Sequence, residues 1–461
     1  MGGHRRCQGS EERKIAGVGS VDDIKQAAFD ALQVIFIMNA ATRPTNAFYA
    51  QSGGVTAVIN TTACAVIQAA RQHPETSARS SPAATAFSVR CTEDLIDTSL
   101  ESDADIARLR HTPGGAFGSC RYKLKGLDEH RAQYERLIDG IPRARHRLFL
   151  LQRRQRFDGY RMEGVADVRK TGYPLTCVGI PKTVDNDLPH TDNCPGFGSV
   201  AKYVATSMRE AGSRRGFDGA HLDQDFRHGS DGPPRRLDHR CLRVGREAAG
   251  QPPHLLLFPE MPFDEAAFLV RVEDCVASTS YCTIAVSEGL RMPMAGKLLR
   301  TSGTTDAFGH AQLGGVGQVI AQLIKDRLGL KYHWALPDYL QRSARHLASK
   351  TDVDQAYALG KAAVELAVAG RSAVMPGIVR LADAPYRWEI GVADLANVAN
   401  VERKMPREFI SADGFQITDK CRAYLAPLIA GEDPPPYRDG LPDYVRLKNR
   451  GVPRQLEAFC L

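Results

Sequence analysis

Lys182, Thr183, Asp185, Asn186 and Asp187 stand within six consecutive positions, directly after an apolar run at residues 173–180. Side chains of those types can move a proton or a phosphoryl group. Two carboxylates two residues apart can divide labour. One takes a proton from an attacking hydroxyl, and the other holds Mg2+ or its waters. A lysine three residues before the first Asp can neutralise charge on a transferring phosphoryl group. The apolar run reads as a buried strand, and the C-terminal ends of strands in open α/β sheets are where ligands bind. For a bare Asp-Asn-Asp the simpler alternative is an Asn/Asp turn after a strand.

The elements that position such a loop are written around it. Residues 47–60 (AFYAQSGGVTAVIN) read as strand, glycine turn and helix. There Gly53 and Gly54 would let backbone N–H groups approach a phosphate near a helix N-terminus. Residues 111–121 form a second glycine-rich loop, with Arg121 and Lys123 as phosphate contacts or merely exposed cations. Residues 251–260 and 281–289 read as further strands ending at the carboxylates of Glu260 and Glu288. His310, in the loop 304–315, is read as structural. Residues 350–369 form an Ala-rich helix.

The full string Gly179-Ile180-Pro181-Lys182-Thr183-Val184-Asp185-Asn186-Asp187-Leu188 resembles the catalytic loop of the 6-phosphofructokinases. Nucleotide users of that family typically carry glycine where Lys182 stands, so the loop is similar to that of the pyrophosphate-dependent branch. Residues 195–203 (PGFGSVAKY) add to the likeness, which covers most of residues 47–460. It implies an α/β fold with two doubly wound, Rossmann-like parallel-sheet domains facing a cleft. Residues 45–190 would form the pyrophosphate side and 191–350 the sugar-phosphate side. Residues 351–461 would be a helical part completing both. Residues 1–44 match nothing in the family, and Met38 is a candidate true start.

The implied reaction is reversible phosphoryl transfer from pyrophosphate to the 1-hydroxyl of fructose 6-phosphate, a step of glycolysis and gluconeogenesis, with Mg2+. By resemblance Asp185 is the general base and Lys182 stabilises the transferring group. Gly53 and Gly54 hold pyrophosphate. Thr183, Val184, Asp185, Glu288, Tyr339, Leu340, Gln341 and Arg342 contact the sugar phosphate. Asp187 organises the metal, through water. ATP as donor is the first alternative. A homo-oligomer, dimer or tetramer, is expected.

Composition bounds the rest. With 461 residues the chain has room for two or three domains. No apolar run reaches transmembrane length and no signal peptide is evident, so no membrane partner is expected. Eleven cysteines are scattered without a C-x-x-C pair, which suggests free thiols in a reducing cytoplasm rather than zinc.

Three patches depart from the family pattern: 76–91, 142–170 and 209–249. The expected Gly-Gly-x-Asp-Ser and Met-Gly-Arg strings are absent from the chain. Permitted codons for residues 148–157, read from each second base, give YFFYNGGNDS. Those for residues 222–240 give STKTFVMEVMGRHAGWIT. Residues 81–91, read from each third base, give AGRNGILGAL. Compensated frameshifts are therefore inferred. These patches carry net charges of +2, +6 and +2, which together exceed the +7 of the whole chain. The basicity is then no sign of a nucleic-acid partner. The patches are expected to fold poorly, and the chain as written to be a nearly inactive family member.

Overall fold

The computed structural model describes residues 46–74, 79–83, 94–119, 132, 135–136, 146–153, 175–212, 219–226, 252–287, 289–290, 315–399, 401–454 and 456–457. The first sheet begins with β1 (Asn46–Gln51), which pairs in parallel with β2 (Arg79–Ala83) on one side and β3 (His146–Arg153) on the other. β3 pairs in parallel with β4 (Thr176–Pro181). Every residue from 177 to 188 is buried, as a central strand and its outlet require. Phe48 stacks on Phe149 across β1 and β3 with ring centroids 4.5 Å apart.

A second, all-parallel sheet runs in the order β6-β7-β5-β8, from β5 (Gly219–Phe226), β6 (Leu255–Leu257), β7 (Tyr281–Ser287) and β8 (Tyr332–Ala335). The α/β class and the two parallel sheets expected from the sequence are therefore present.

Two expectations need correction. Residues 351–461 are not simply helical, because they carry β9 (Val374–Asp383) and β10 (Tyr386–Asp394). These form an antiparallel hairpin that extends the first sheet next to β4, giving the order β10-β9-β4-β3-β1-β2. Along β10 exposure alternates for most of its length, the period-two signature of a half-covered strand. The anomalous patches also supply β2, β3 and β5. Leu148-Phe149-Leu150-Leu151 is apolar enough to serve as a central strand. Pro82 is tolerated because β2 lies at the sheet's edge, where a missing N–H costs little. Residues 227–249 of the third patch lie outside the described residues.

The helices cover these sheets. α1 (Ile59–Arg71) packs on the first sheet together with a later helix, Lys350–Val368, burying Ala63, Ile67, Val178 and Val364 in one core. α2 (Asp103–Arg108) is capped by Ser102, whose hydroxyl accepts from the Asp105 N–H at 3.0 Å. α3 (Phe197–Gly212) buries Phe197, Val200, Val204 and Met208 against Phe409, Ile417, Leu425 and Leu428 of the C-terminal part. α4 (Glu265–Thr279) and α5 (Val316–Leu328) enclose the second sheet through Phe268, Val272, Ile284 and Ile320. The short α6 (Tyr339–Ser343) leads to α7 (Lys350–Val368), the Ala-rich helix expected at 350–369. Gly360 of α7 lets that helix touch α1: a Cβ there would lie 2.7 Å from the Thr62 carbonyl oxygen.

Asp352, in the first turn of α7, joins two elements. Its buried carboxylate accepts from the Gly196 N–H at 2.9 Å, the Ser199 N–H at 3.0 Å and the Ser199 hydroxyl at 2.5 Å. It thus satisfies donors at the start of α3 that helix geometry leaves open. Asp352→Ala would strand those donors in the interior, with an expected loss of about 3 kcal/mol. A urea midpoint moved to lower concentration checks this, and an unchanged midpoint contradicts it.

Candidate active site

The end of β4 turns directly into the loop 182–188, and all of it is buried. Thr183 forms an isolated parallel bridge with Gly196, and its Oγ1 accepts from the Asp185 N–H at 3.0 Å. Asn186 takes a left-handed φ of 55°, a conformation asparagine tolerates. Its Oδ1 accepts from the Cys194 N–H at 2.9 Å, and its Nδ2 donates to the Tyr424 hydroxyl at 2.8 Å. Arg403 donates from Nη2 to the Asn186 carbonyl at 2.9 Å and from its backbone N–H to the Asp187 carbonyl at 2.8 Å. Its Nη1 reaches the carbonyls of Thr191 and Asp192 at 2.6 and 2.7 Å. This loop is held from both sides, and it carries Asp185 and Asp187 at 0% and 2% exposure.

Lys182 links this loop to the first glycine turn. Its ammonium is 1% exposed and donates to the Gly54 carbonyl at 2.6 Å. Gly53 adopts a φ of +85°, and a Cβ on it would lie 3.3 Å from Lys182 Nζ. A Cβ on Gly54 would lie 2.1 Å from Nη1 of Arg342, which is itself buried. Two cations therefore approach one glycine pair, and a Cβ on Gly54 would displace the Arg342 guanidinium. Buried Lys and Arg beside the half-buried backbone of Gly53 and Gly54 form an anion-binding arrangement. α1 begins five residues after Gly54, so its N-terminus is set back from the glycine turn rather than at it.

The second glycine loop is fastened to the first. The Ser119 hydroxyl donates to the Gly53 carbonyl at 2.5 Å. Asn60 of α1 donates to the Thr112 carbonyl at 2.8 Å and accepts from the Ala116 N–H at 2.9 Å. Arg345, fully buried, donates to Asp433 Oδ2 at 2.6 Å, to the Arg110 carbonyl at 3.0 Å and to His111 Nδ1 at 3.2 Å. Burial, and then the charge of Arg345, hold the His111 imidazole below its ordinary range. The neutral ring can then accept from Arg345.

The structure therefore brings Lys182, Gly53, Gly54 and Arg342 together, and sets Thr183, Val184, Asp185 and Asp187 in the adjoining buried loop. α6 divides its residues: Gln341 and Arg342 are buried, while Tyr339 and Leu340 are 58% and 64% exposed. The Arg342 guanidinium lies 5.8 Å from the Tyr339 ring centroid, a cation–π distance. Glu288, Arg121, Lys123 and His310 lie outside the described residues. Glu288 falls between Ser287, which ends β7, and Gly289.

Sequence reasoning missed Arg403 and Tyr424, which brace the loop from the C-terminal part, and Asp352. No local spacing signals them, because each acts through a contact between residues more than 150 positions apart.

Parallel sheets, a glycine turn held between buried cations, and a carboxylate-rich loop at a strand end define an enzyme that handles phosphorylated ligands. Residues 46–214 match the family model described as Phosphofructokinase. The pyrophosphate–fructose 6-phosphate 1-phosphotransferase of Methylococcus capsulatus is 54% identical over 431 residues, 90% of this chain and 98% of that one. The protein of the same name from Halomonas elongata is 53% identical, over 90% of this chain and 99% of that one. The crystal structure of the pyrophosphate-dependent phosphofructokinase from Nitrosospira multiformis, 46% identical, superposes with a TM-score of 0.80 over 91% of this chain and all of that one. The chain belongs to the phosphofructokinase family.

Gly54→Ala is expected to push the Arg342 guanidinium out of place. Calorimetry should show fructose 6-phosphate binding weakened about tenfold, or roughly 1.4 kcal/mol. Unchanged affinity would contradict the close approach seen here.

Proposed function

We propose that this protein catalyses the reversible transfer of a phosphoryl group from pyrophosphate to the 1-hydroxyl of fructose 6-phosphate, yielding fructose 1,6-bisphosphate and phosphate. The observation that carries this is the buried Lys182 ammonium resting on the Gly54 carbonyl. It places a fixed positive charge, and the bulk of a lysine, beside the glycine turn that would hold the donor. That arrangement suits a compact, highly charged donor such as pyrophosphate and crowds out a nucleoside. The names of the relatives at 54% and 53% identity support the same donor over ATP.

Within this reading Gly53 and Gly54 hold pyrophosphate, with Lys182 stabilising charge as the phosphoryl group moves. Asp185 takes the proton of the 1-hydroxyl, with its loop kept in register by Thr183 and Asn186. Arg342 grips the sugar phosphate, assisted by Tyr339, Leu340, Gln341, Val184 and Glu288. The two buried carboxylates form an all-oxygen donor set, which fits Mg2+ rather than a softer ion. Asp187 would hold it through water. When bound, the ion neutralises charge on the phosphates. The protein is expected to act in the cytoplasm as a dimer or tetramer. Among the described residues no helix is long and apolar enough to cross a membrane.

A second reading rests on one observation: the Gly-Gly-x-Asp-Ser and Met-Gly-Arg strings are missing from the 461 residues. The chain as written is then nearly inactive, and restoring the reading frame of the patches returns turnover. In the frame-restored chain, Asp185→Asn should lower kcat by about 10³-fold and leave the KM for fructose 6-phosphate within about twofold. Steady-state kinetics with saturating pyrophosphate read both values. A kcat close to that of the parent would refute the base assignment.

A further inference from the structure

Away from the glycine turn, two sulfurs and an imidazole meet where α4 folds back into β7. The side-chain ligand atoms of His254, Cys275 and Cys282 all lie within 4.8 Å of one another. The local chain explains the meeting. α4 stops at Thr279, Ser280 takes a left-handed φ of 70°, and its N–H closes the helix on the Val276 carbonyl at 2.8 Å. β7 starts at the next residue. This one-residue reversal lays the last turn of the helix against the first residues of the strand and brings Cys275 to Cys282.

His254, immediately before β6, is clamped to β7. Its backbone N–H donates to the Thr283 carbonyl at 2.8 Å, and its Nδ1 accepts from the Thr283 N–H at 2.9 Å. Its ring also stands edge-on to Tyr281, with centroids 4.9 Å apart. Because Nδ1 is an acceptor here, the neutral ring carries its proton on Nε2. A metal bound by two thiolates and this histidine would need a ring lone pair, and the Thr283 N–H already uses it. The arrangement favours sulfur chemistry over a metal.

The two thiols are not equivalent. Cys282 is fully buried in β7, whereas Cys275 is half-buried at the helix end. Cys275 Sγ lies 3.5 Å from the Tyr281 carbonyl and 3.7 Å from Thr279 Oγ1. The adjoining Cys282 thiol, and then His254, hold Cys275 well below the usual thiol range, while Cys275 and burial push Cys282 up. The reachable sulfur is therefore also the more nucleophilic at neutral pH.

We propose that Cys275 and Cys282 form an oxidation site that hydrogen peroxide converts to an intramolecular disulfide. The Cys275 thiolate attacks one peroxide oxygen. The O–O bond breaks, Cys275 becomes a sulfenic acid, and the second oxygen leaves as hydroxide and is protonated to water. Cys282 then loses its proton and attacks the Cys275 sulfur. The S–O bond breaks, and the departing hydroxide takes up that proton to give a second water. Two thiols are oxidised by two electrons in total, and one peroxide is reduced to two waters.

The full-length protein, folded and treated with hydrogen peroxide, tests this directly. The tryptic peptide covering residues 272–291 contains both cysteines and no other. After oxidation that peptide should be lighter by about 2 Da and refuse alkylation until reduced. Cys275→Ser should abolish the mass loss. Cys282→Ala should leave Cys275 as a sulfenic acid that dimedone captures. His254→Gln should slow disulfide formation several-fold while leaving its end point unchanged. The proposal is overturned if the wild-type peptide keeps two alkylatable thiols. It is equally overturned if Cys275 advances to sulfinic acid with Cys282 still reduced.

Discussion

A lysine ammonium buried at 1% exposure needs an acceptor close by, because an uncompensated charge in the interior costs several kcal/mol. Lys182 has the Gly54 carbonyl as one such acceptor. That contact ties the strand-end loop to the first glycine turn. It also dictates residue types on both sides. Gly53 must reach φ +85° beside the ammonium, and Gly54 must leave space for the Arg342 guanidinium. The charge that would serve catalysis is thus also the fastening that assembles the site.

The C-terminal part supplies most of the bracing. Arg403 and Tyr424 hold the backbone and side chain of Asn186, and Tyr424 also donates to the Asp192 carbonyl at 2.7 Å. Arg380 of β9 lies between the rings of Tyr386 and Tyr424, 4.8 and 4.7 Å from their centroids, and bonds Asp192 Oδ2 at 3.0 Å. Asp352 and Arg345 do comparable work beneath α3 and the second glycine loop. Such buried charges are stable only when fully hydrogen-bonded, which favours one arrangement of these segments over others.

Much of this was legible in the sequence because it is local. An apolar run followed by Lys182-Thr183-Val184-Asp185-Asn186-Asp187 marks a strand end with chemistry, and Gly53-Gly54 marks a tight backbone approach. The bracing side chains were not legible, since Arg403, Tyr424 and Asp352 reach partners far away in the chain and leave no spacing pattern. The hairpin β9–β10 was overlooked in a region read as helical, although its alternating exposure is a strand signal. The patches expected to fold poorly show the opposite limit. Four consecutive apolar residues at 148–151 are enough to complete a central strand, but they cannot supply a metal carboxylate or a phosphate-binding arginine.

The central claim is that the buried Lys182 makes this a pyrophosphate-using phosphotransferase. Its most direct test is the donor preference of the protein. Product formation from fructose 6-phosphate would be followed with pyrophosphate and with ATP side by side. The account predicts fructose 1,6-bisphosphate with pyrophosphate, at least about 10³-fold faster than with ATP. Equal or faster transfer from ATP, or none from either donor, would contradict it.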